Sequence, residues 1–274
     1  MNDKLKAEAE RRAQQPLAGG DWTVPGLGLE FVHVPPGSFR MGSDEAEDEK
    51  PVHDVEITRP FWLAKYPVTQ AEYEALMETN PSYFQDEVVL KPGFLGFGRK
   101  VEKRSRPKWP VERVSWDDAV EFCRKLTERE RLVGRLPDGY AYCLSAEAEW
   151  EYAARGGVQS RGFTYAGSNC VDEVAWYGDN SGVKIHPVGQ KKPNELGLYD
   201  MTGNLWEWCQ DWYGDYPSGG ATDPSGPTTG SSHVYRGGGW CDDAGRCRSA
   251  IRDWDDPLRT DFCLGFRVAL APVR

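Results

Sequence analysis

The chain has 274 residues, with 33 Lys or Arg against 43 Asp or Glu and a formal net charge of −10. That acid excess argues against nucleic acid as a partner, since phosphates call for a basic face. The length suffices for a hydrophobic core without disulfide or metal staples, and no apolar run is long enough to span a membrane.

The first residues, MNDKLKAEAERRAQQ, are charged and lack the apolar stretch of a secretory signal, so the expected location is the cytoplasm. Residues 1–20 read as an N-terminal helical arm and 21–274 as one α+β domain. Sparse Asn and Gln with plentiful Pro fit a thermophilic source. From Phe31, FVHV runs into the turn of PPGSFRMGS, and the acidic DEAEDEK (44–50) reads as a solvated loop. VHDVEIT (52–58) alternates as a half-buried strand, and FWLAKYPV (61–68) continues in the same style.

Three helices are expected from their caps. Thr69 and Glu72 form a capping box before AEYEALM, and Ser115 with Asp118 opens WDDAVEFCRKLTERE. Ser145 opens AEAEWEYAARGG, with acids in the first turn and Gly156-Gly157 as the stop. The stretch from about 80 to 112, rich in Pro, Gly, Lys and Arg, reads as a long loop. Beyond Gly157 little helix is expected, so turns, side-chain hydrogen bonds and aromatic packing must hold the rest.

Seven cysteines (Cys123, Cys143, Cys170, Cys209, Cys241, Cys247 and Cys263) form an odd set without a CxxC and read as free thiols. His33, His53, His186 and His233 have no zinc-site spacing. In GLYDMTGNLWEWCQDWY (197–213) the tryptophans pack around a turn at Gly203-Asn204. A second reading has Asn204 and the Glu207 carboxylate joining backbone carbonyls in a calcium site.

FVHVPPGSFRMGS, YPVTQAEYEALM, RLPDGYAYCLSAEAEWEYAARGG, NELGLYDMTGNLWEW and the RGGGW…CRSA.R…LGFRV ending together resemble the formylglycine-generating-enzyme/sulfatase-modifying-factor family over residues 22–272. The resemblance implies a C-type-lectin-like fold, with few helices and a small twisted antiparallel sheet. It also implies calcium near the segment from Gly203 to Glu207. Enzymes of the family hold copper(I) between two cysteines four residues apart. Here Cys241 and Cys247 lie farther apart, and Cys247 matches a cysteine of non-catalytic relatives, so the copper pair is not matched.

The ending keeps the family frame at Arg236, Gly237, Gly238, Trp240, Cys247, Arg248, Ser249, Ala250, Arg252, Pro257, Arg259, Gly265, Phe266 and Arg267. Asparagine usually fills the gaps between these positions. Here they hold Cys241, Asp242, Ile251, Asp253, Asp255, Leu258, Thr260, Asp261, Phe262 and Cys263. The pattern is similar to that of diversity-generating retroelement variable proteins, in which randomised template adenines turn AAC codons into NNC. NNC encodes every residue type just named.

The expected molecule is therefore a non-enzymatic ligand-binding protein with a variable region at about 240–264. Residues 241, 242, 251, 253, 255 and 260–263 would share one exposed face, and the substituted residues would meet an unknown protein or cell-surface ligand. A copper-dependent oxidoreductase acting on a protein cysteine and a catalytically silent scaffold module are the alternatives.

Overall fold

The computed structural model describes residues 20–90 and 100–273, so the arm expected at the N-terminus lies outside the described residues. Five short strands open the domain: β1 (Trp22–Thr23), β2 (Glu30–Val34), β3 (Gly37–Met41), β4 (His53–Ile57) and β5 (Phe61–Ala64). Burial alternates along β4, as its sequence requires, whereas every residue of β5 is buried because it is an inner strand. The acidic loop before β4 is not wholly solvated. Glu49 is buried and bound by both terminal nitrogens of Arg248, at 2.7 and 2.9 Å.

Helix α1 (Gln70–Met77) starts at its capping box, with the Thr69 N–H donating to the Glu72 carboxylate at 2.7 Å. The long loop expected next contains a hairpin of β6 (Asp86–Leu90) and β7 (Lys100–Arg104). Helix α2 (Trp116–Leu132) is capped by Ser115 and Asp118. It packs on β8 (Tyr140–Leu144), where Thr127 Oγ1 accepts from the Tyr142 N–H at 2.9 Å.

Helix α3 (Glu147–Ala154) starts one residue later than Ser145 suggests. Its cap is Ala146, whose N–H donates to Glu149 at 2.9 Å, while the Ser145 carbonyl is taken by the Gln210 N–H. Every residue of α3 is buried, including three glutamates, and the helix stops at Gly156 in the left-handed region. After the single turn α4 (Val171–Val174), the chain forms β9 (Trp206–Trp212), β10 (Ala221–Thr222), β11 (His233–Arg236), β12 (Arg252–Asp255), β13 (Leu264–Phe266) and β14 (Val268–Pro272).

The strands assemble as β1-β2-β5-β14-β8, β10-β4-β3 and β12-β11-β9-β13. With four α-helices among the described residues, the result is the expected α+β architecture. The sheet of β9, β11, β12 and β13 separates two cores. Trp206, Trp208 and Phe266 pack with Phe122 and Leu126 of α2, whereas Cys209 and Val234 pack with Trp150 and Tyr152 of α3. Among the described residues no helix is long and apolar enough to cross a membrane.

Candidate ligand-contact surface on the C-terminal sheet

Strand register decides which side chains of this sheet meet. Arg236 of β11 lies opposite Glu207 of β9 and Arg252 of β12, while Tyr235 lies opposite Trp208 and Asp253. Because side chains alternate across a strand, one face carries Glu207, Arg236 and Arg252, and the other carries Trp206, Trp208, Tyr235 and Asp253.

The first face is buried against α3, whose Glu147 and Glu151 project one turn apart. Arg236 donates to Glu147 at 2.9 Å and to Glu151, and Arg252 grips Glu147 at 2.8 and 2.7 Å. Arg267 holds Glu207 at 2.7 and 2.9 Å, and Trp150 Nε1 donates to the same carboxylate at 2.7 Å. Burial raises the Glu151 carboxyl, but Arg236 and Arg155 beside it bring it below its ordinary value. This face fixes the backbone, with its charges paired to one another.

The second face opens at one end into a cleft of about 170 Å³. Trp206, Tyr235 and Leu264 form its floor, and Asp242, Asp255, Asp261 and Cys263 stand around it with Arg246 and Arg259. Arg246 bridges Asp242 and Asp253 and lies over the Trp206 ring, 5.3 Å from its centre. Arg259 bridges Asp261 at 2.7 Å and Asp255 at 3.4 Å. These arginines are far more exposed than those of the first face.

The substituted residues mostly gather here. Asp242, Asp255, Asp261 and Cys263 line the cleft, Asp253 pairs with Arg246, and Cys241, Leu258, Thr260 and Phe262 are exposed. Asp242 is less interchangeable than expected. It accepts from Trp206 Nε1 at 2.7 Å and from the Gly239 N–H at 2.9 Å, so it holds the loop as well as facing the cleft.

Ile251 departs from the expectation. It is buried in the core with Trp206, Trp208 and Leu264, because the residue before β12 turns inward with the tryptophan face. Arg259 departs the other way, since it was counted in the frame and lines the cleft. Trp206, Tyr235 and Arg246 were not among the predicted site residues. The spacing of Asp242 and Arg246, and the alternation in WEW, were the available signals.

The ends of the region are rigid for steric reasons. At Gly238, in the left-handed region, a Cβ would meet the Arg246 carbonyl at 2.4 Å and Cys247 Sγ at 2.8 Å. At Gly265 it would meet the Val111 carbonyl at 2.4 Å. Trp240 Nε1 donates to the Phe262 carbonyl at 3.1 Å, and the Trp240 ring packs on Phe84 and Phe262. Cys247 is buried, and that burial pushes its thiol well above the ordinary range.

Neither metal suggested by the resemblance fits its donors. Asn204 Oδ1 accepts from the His186 N–H at 2.9 Å, its amide donates back to the His186 carbonyl, and both Glu207 oxygens are held by Arg267. A calcium ion would have to displace that guanidinium. For copper, the thiol beside Cys241 belongs to Cys263, whereas Cys247 lies behind Gly238 in the interior. Among the described residues no cluster of three or more His, Cys, Asp or Glu has metal-binding geometry.

Residues 25–272 match the sulfatase-modifying factor enzyme 1-like domain. The chain is similar to the chaperone protein LppX of Paenibacillus barcinonensis, at 33% identity over 77% of this chain and 78% of the relative. It is also similar to the formylglycine-generating enzyme of Streptomyces coelicolor, at 30% identity over 87% of this chain and 88% of the enzyme. Among solved structures it matches variable protein 1 of Treponema denticola with a TM-score of 0.76 and 29% identity. That match covers 92% of this chain and 99% of the other.

Proposed function

Because the chain belongs to the sulfatase-modifying factor enzyme 1-like family, whose fold serves enzymes and binders alike, we propose its function from the C-terminal surface. The protein is a non-enzymatic ligand-binding molecule. Its cleft and the exposed residues around it contact a protein or cell-surface ligand, and a retroelement diversifies that surface. Calcium has no assigned role in this binding.

One observation carries the proposal. Between Gly237 and Gly265 the frame residues Trp240, Cys247, Arg252 and Gly265 turn inward, while Cys241, Leu258, Thr260 and Phe262 stay outside. Side chains placed outside a fixed backbone can change without loss of the fold, and the aromatic floor with charged surroundings suits protein recognition. The solved Treponema denticola variable protein supports the same reading.

The nucleotide sequence downstream of the gene tests it. The expected finding is a reverse transcriptase and a near-copy of the 3′ end that differs at adenines. An intact locus lacking both removes the diversification, and tight copper(I) binding lost in both Cys241→Ala and Cys247→Ala restores the oxidoreductase alternative.

A further inference from the structure

Cys241 and Cys263 stand at the two ends of the substituted region, yet their thiols lie side by side. The backbone around them requires this closeness. Trp240 Nε1 reaches the Phe262 carbonyl at 3.1 Å, and the two rings are 5.7 Å apart. A Cβ on Gly239 would lie 3.2 Å from Cys263 Cβ. The Cys263 carbonyl is in turn held by the Trp206 N–H at 2.9 Å. Residues 239–242 and 261–263 therefore run against each other on a rigid sheet.

The two thiols differ in the way a nucleophile and a resolving thiol should. Cys241 is exposed, and the Cys263 thiol beside it keeps it below the ordinary thiol range. Cys263 is half-buried, donates to Asp261 Oδ1 at 3.3 Å, and is pushed upward by Cys241 and by burial. A thiolate-prone, accessible sulfur beside a shielded second thiol is the arrangement that thiol–disulfide exchange uses.

We propose that Cys241 and Cys263 form a reversible dithiol–disulfide pair, which staples the contact surface when the protein meets a small disulfide such as oxidised glutathione. The Cys241 thiolate attacks one glutathione sulfur, breaks the S–S bond and releases one glutathione. Cys263, deprotonated in turn, attacks the Cys241 sulfur and releases the second. Two protein thiols are oxidised to one disulfide, one glutathione disulfide is reduced to two thiols, and the two protons pass to them. The proposal needs no ligand and stands or falls apart from the binding function.

Trypsin places the two cysteines on separate peptides, 237–246 and 260–267. Native protein would be equilibrated with oxidised glutathione, quenched with iodoacetamide and digested without reductant. The expected product is one linked species joining those peptides, reversed by dithiothreitol, with the pair lost from the seven thiols titrated in denaturant. In Cys263→Ser the link disappears and Cys241 retains glutathione as a mixed disulfide. The proposal is overturned if exposed Cys170 is glutathionylated while both peptides return separately, alkylated or each carrying glutathione. A link from Cys241 to any other cysteine overturns it as well.

Discussion

Arg236, Arg252 and Arg267 pair with carboxylates on one side of the C-terminal sheet, and Arg246 and Arg259 do so on the other. The residue types are the same, but the surroundings are opposite. Arg236 and Arg267 have side chains at most 1% exposed, whereas those of Arg246 and Arg259 are 45% and 50% exposed. In the interior each charge exists only because its partner does, so the pairs are part of the scaffold. At the cleft, water can replace either partner, so the same chemistry becomes replaceable. The two arrangements stand back to back on one sheet, a fixed one inside and a replaceable one outside.

The largest test of that contrast is Arg267→Met. It leaves the Glu207 carboxylate buried with Trp150 as its remaining donor among those described, which costs about 3–5 kcal/mol. Urea denaturation should report this as a lower midpoint with an unchanged slope. A loss under about 1 kcal/mol would mean that the buried and exposed pairs do not differ, and the contrast would collapse.

Glu112 supplies a third case, a buried carboxylate with no guanidinium bonded to it among the described residues. Its Oε1 accepts from the Phe84 N–H at 2.9 Å, while Oε2 has no hydrogen-bond partner among the described residues. Burial pushes the carboxyl up to about 7 from its ordinary 4.5. A raised acid binds its proton more tightly in the folded state. Its contribution is therefore present below the ordinary value and is lost as pH rises through about 7. Glu112→Gln should flatten this slope and stabilise the protein by up to about 3 kcal/mol at pH 8, measured by urea midpoints across pH. A variant with the wild-type slope would assign the pH dependence elsewhere. Phe84 packs on Trp240, so the same titration should loosen the loop behind the contact surface.

What sequence could reveal follows the range of each interaction. The caps of α1 and α2 were legible because Thr69 with Glu72, and Ser115 with Asp118, sit within one turn. Glu147 and Glu151 of α3 look like ordinary helix acids in the sequence, since their partners Arg236 and Arg252 are brought in by the fold from far along the chain. Glu49 escaped for the same reason, with Arg248 as its partner. Comparison with the family frame marks a candidate surface, but it does not give side-chain direction outside regular strands. Ile251, just before β12, therefore went to the wrong side. The neighbouring thiols were invisible too, because the closeness of Cys241 and Cys263 follows from the packing of Trp240 on Phe262.

The smallest effects belong to the cleft. Arg246→Met and Arg259→Met each remove exposed ion pairs, so each should change stability by no more than about 1 kcal/mol and less in high salt. Leu258, 71% exposed, and Thr260 should tolerate Ser with changes within about 0.5 kcal/mol. Phe262→Ser should cost more than Leu258→Ser, because its ring also covers Trp240. If thermal melts instead place Leu258→Ser with the core variants, the exposed positions are holding the fold. Their substitution in this chain would then carry no freedom to recognise anything.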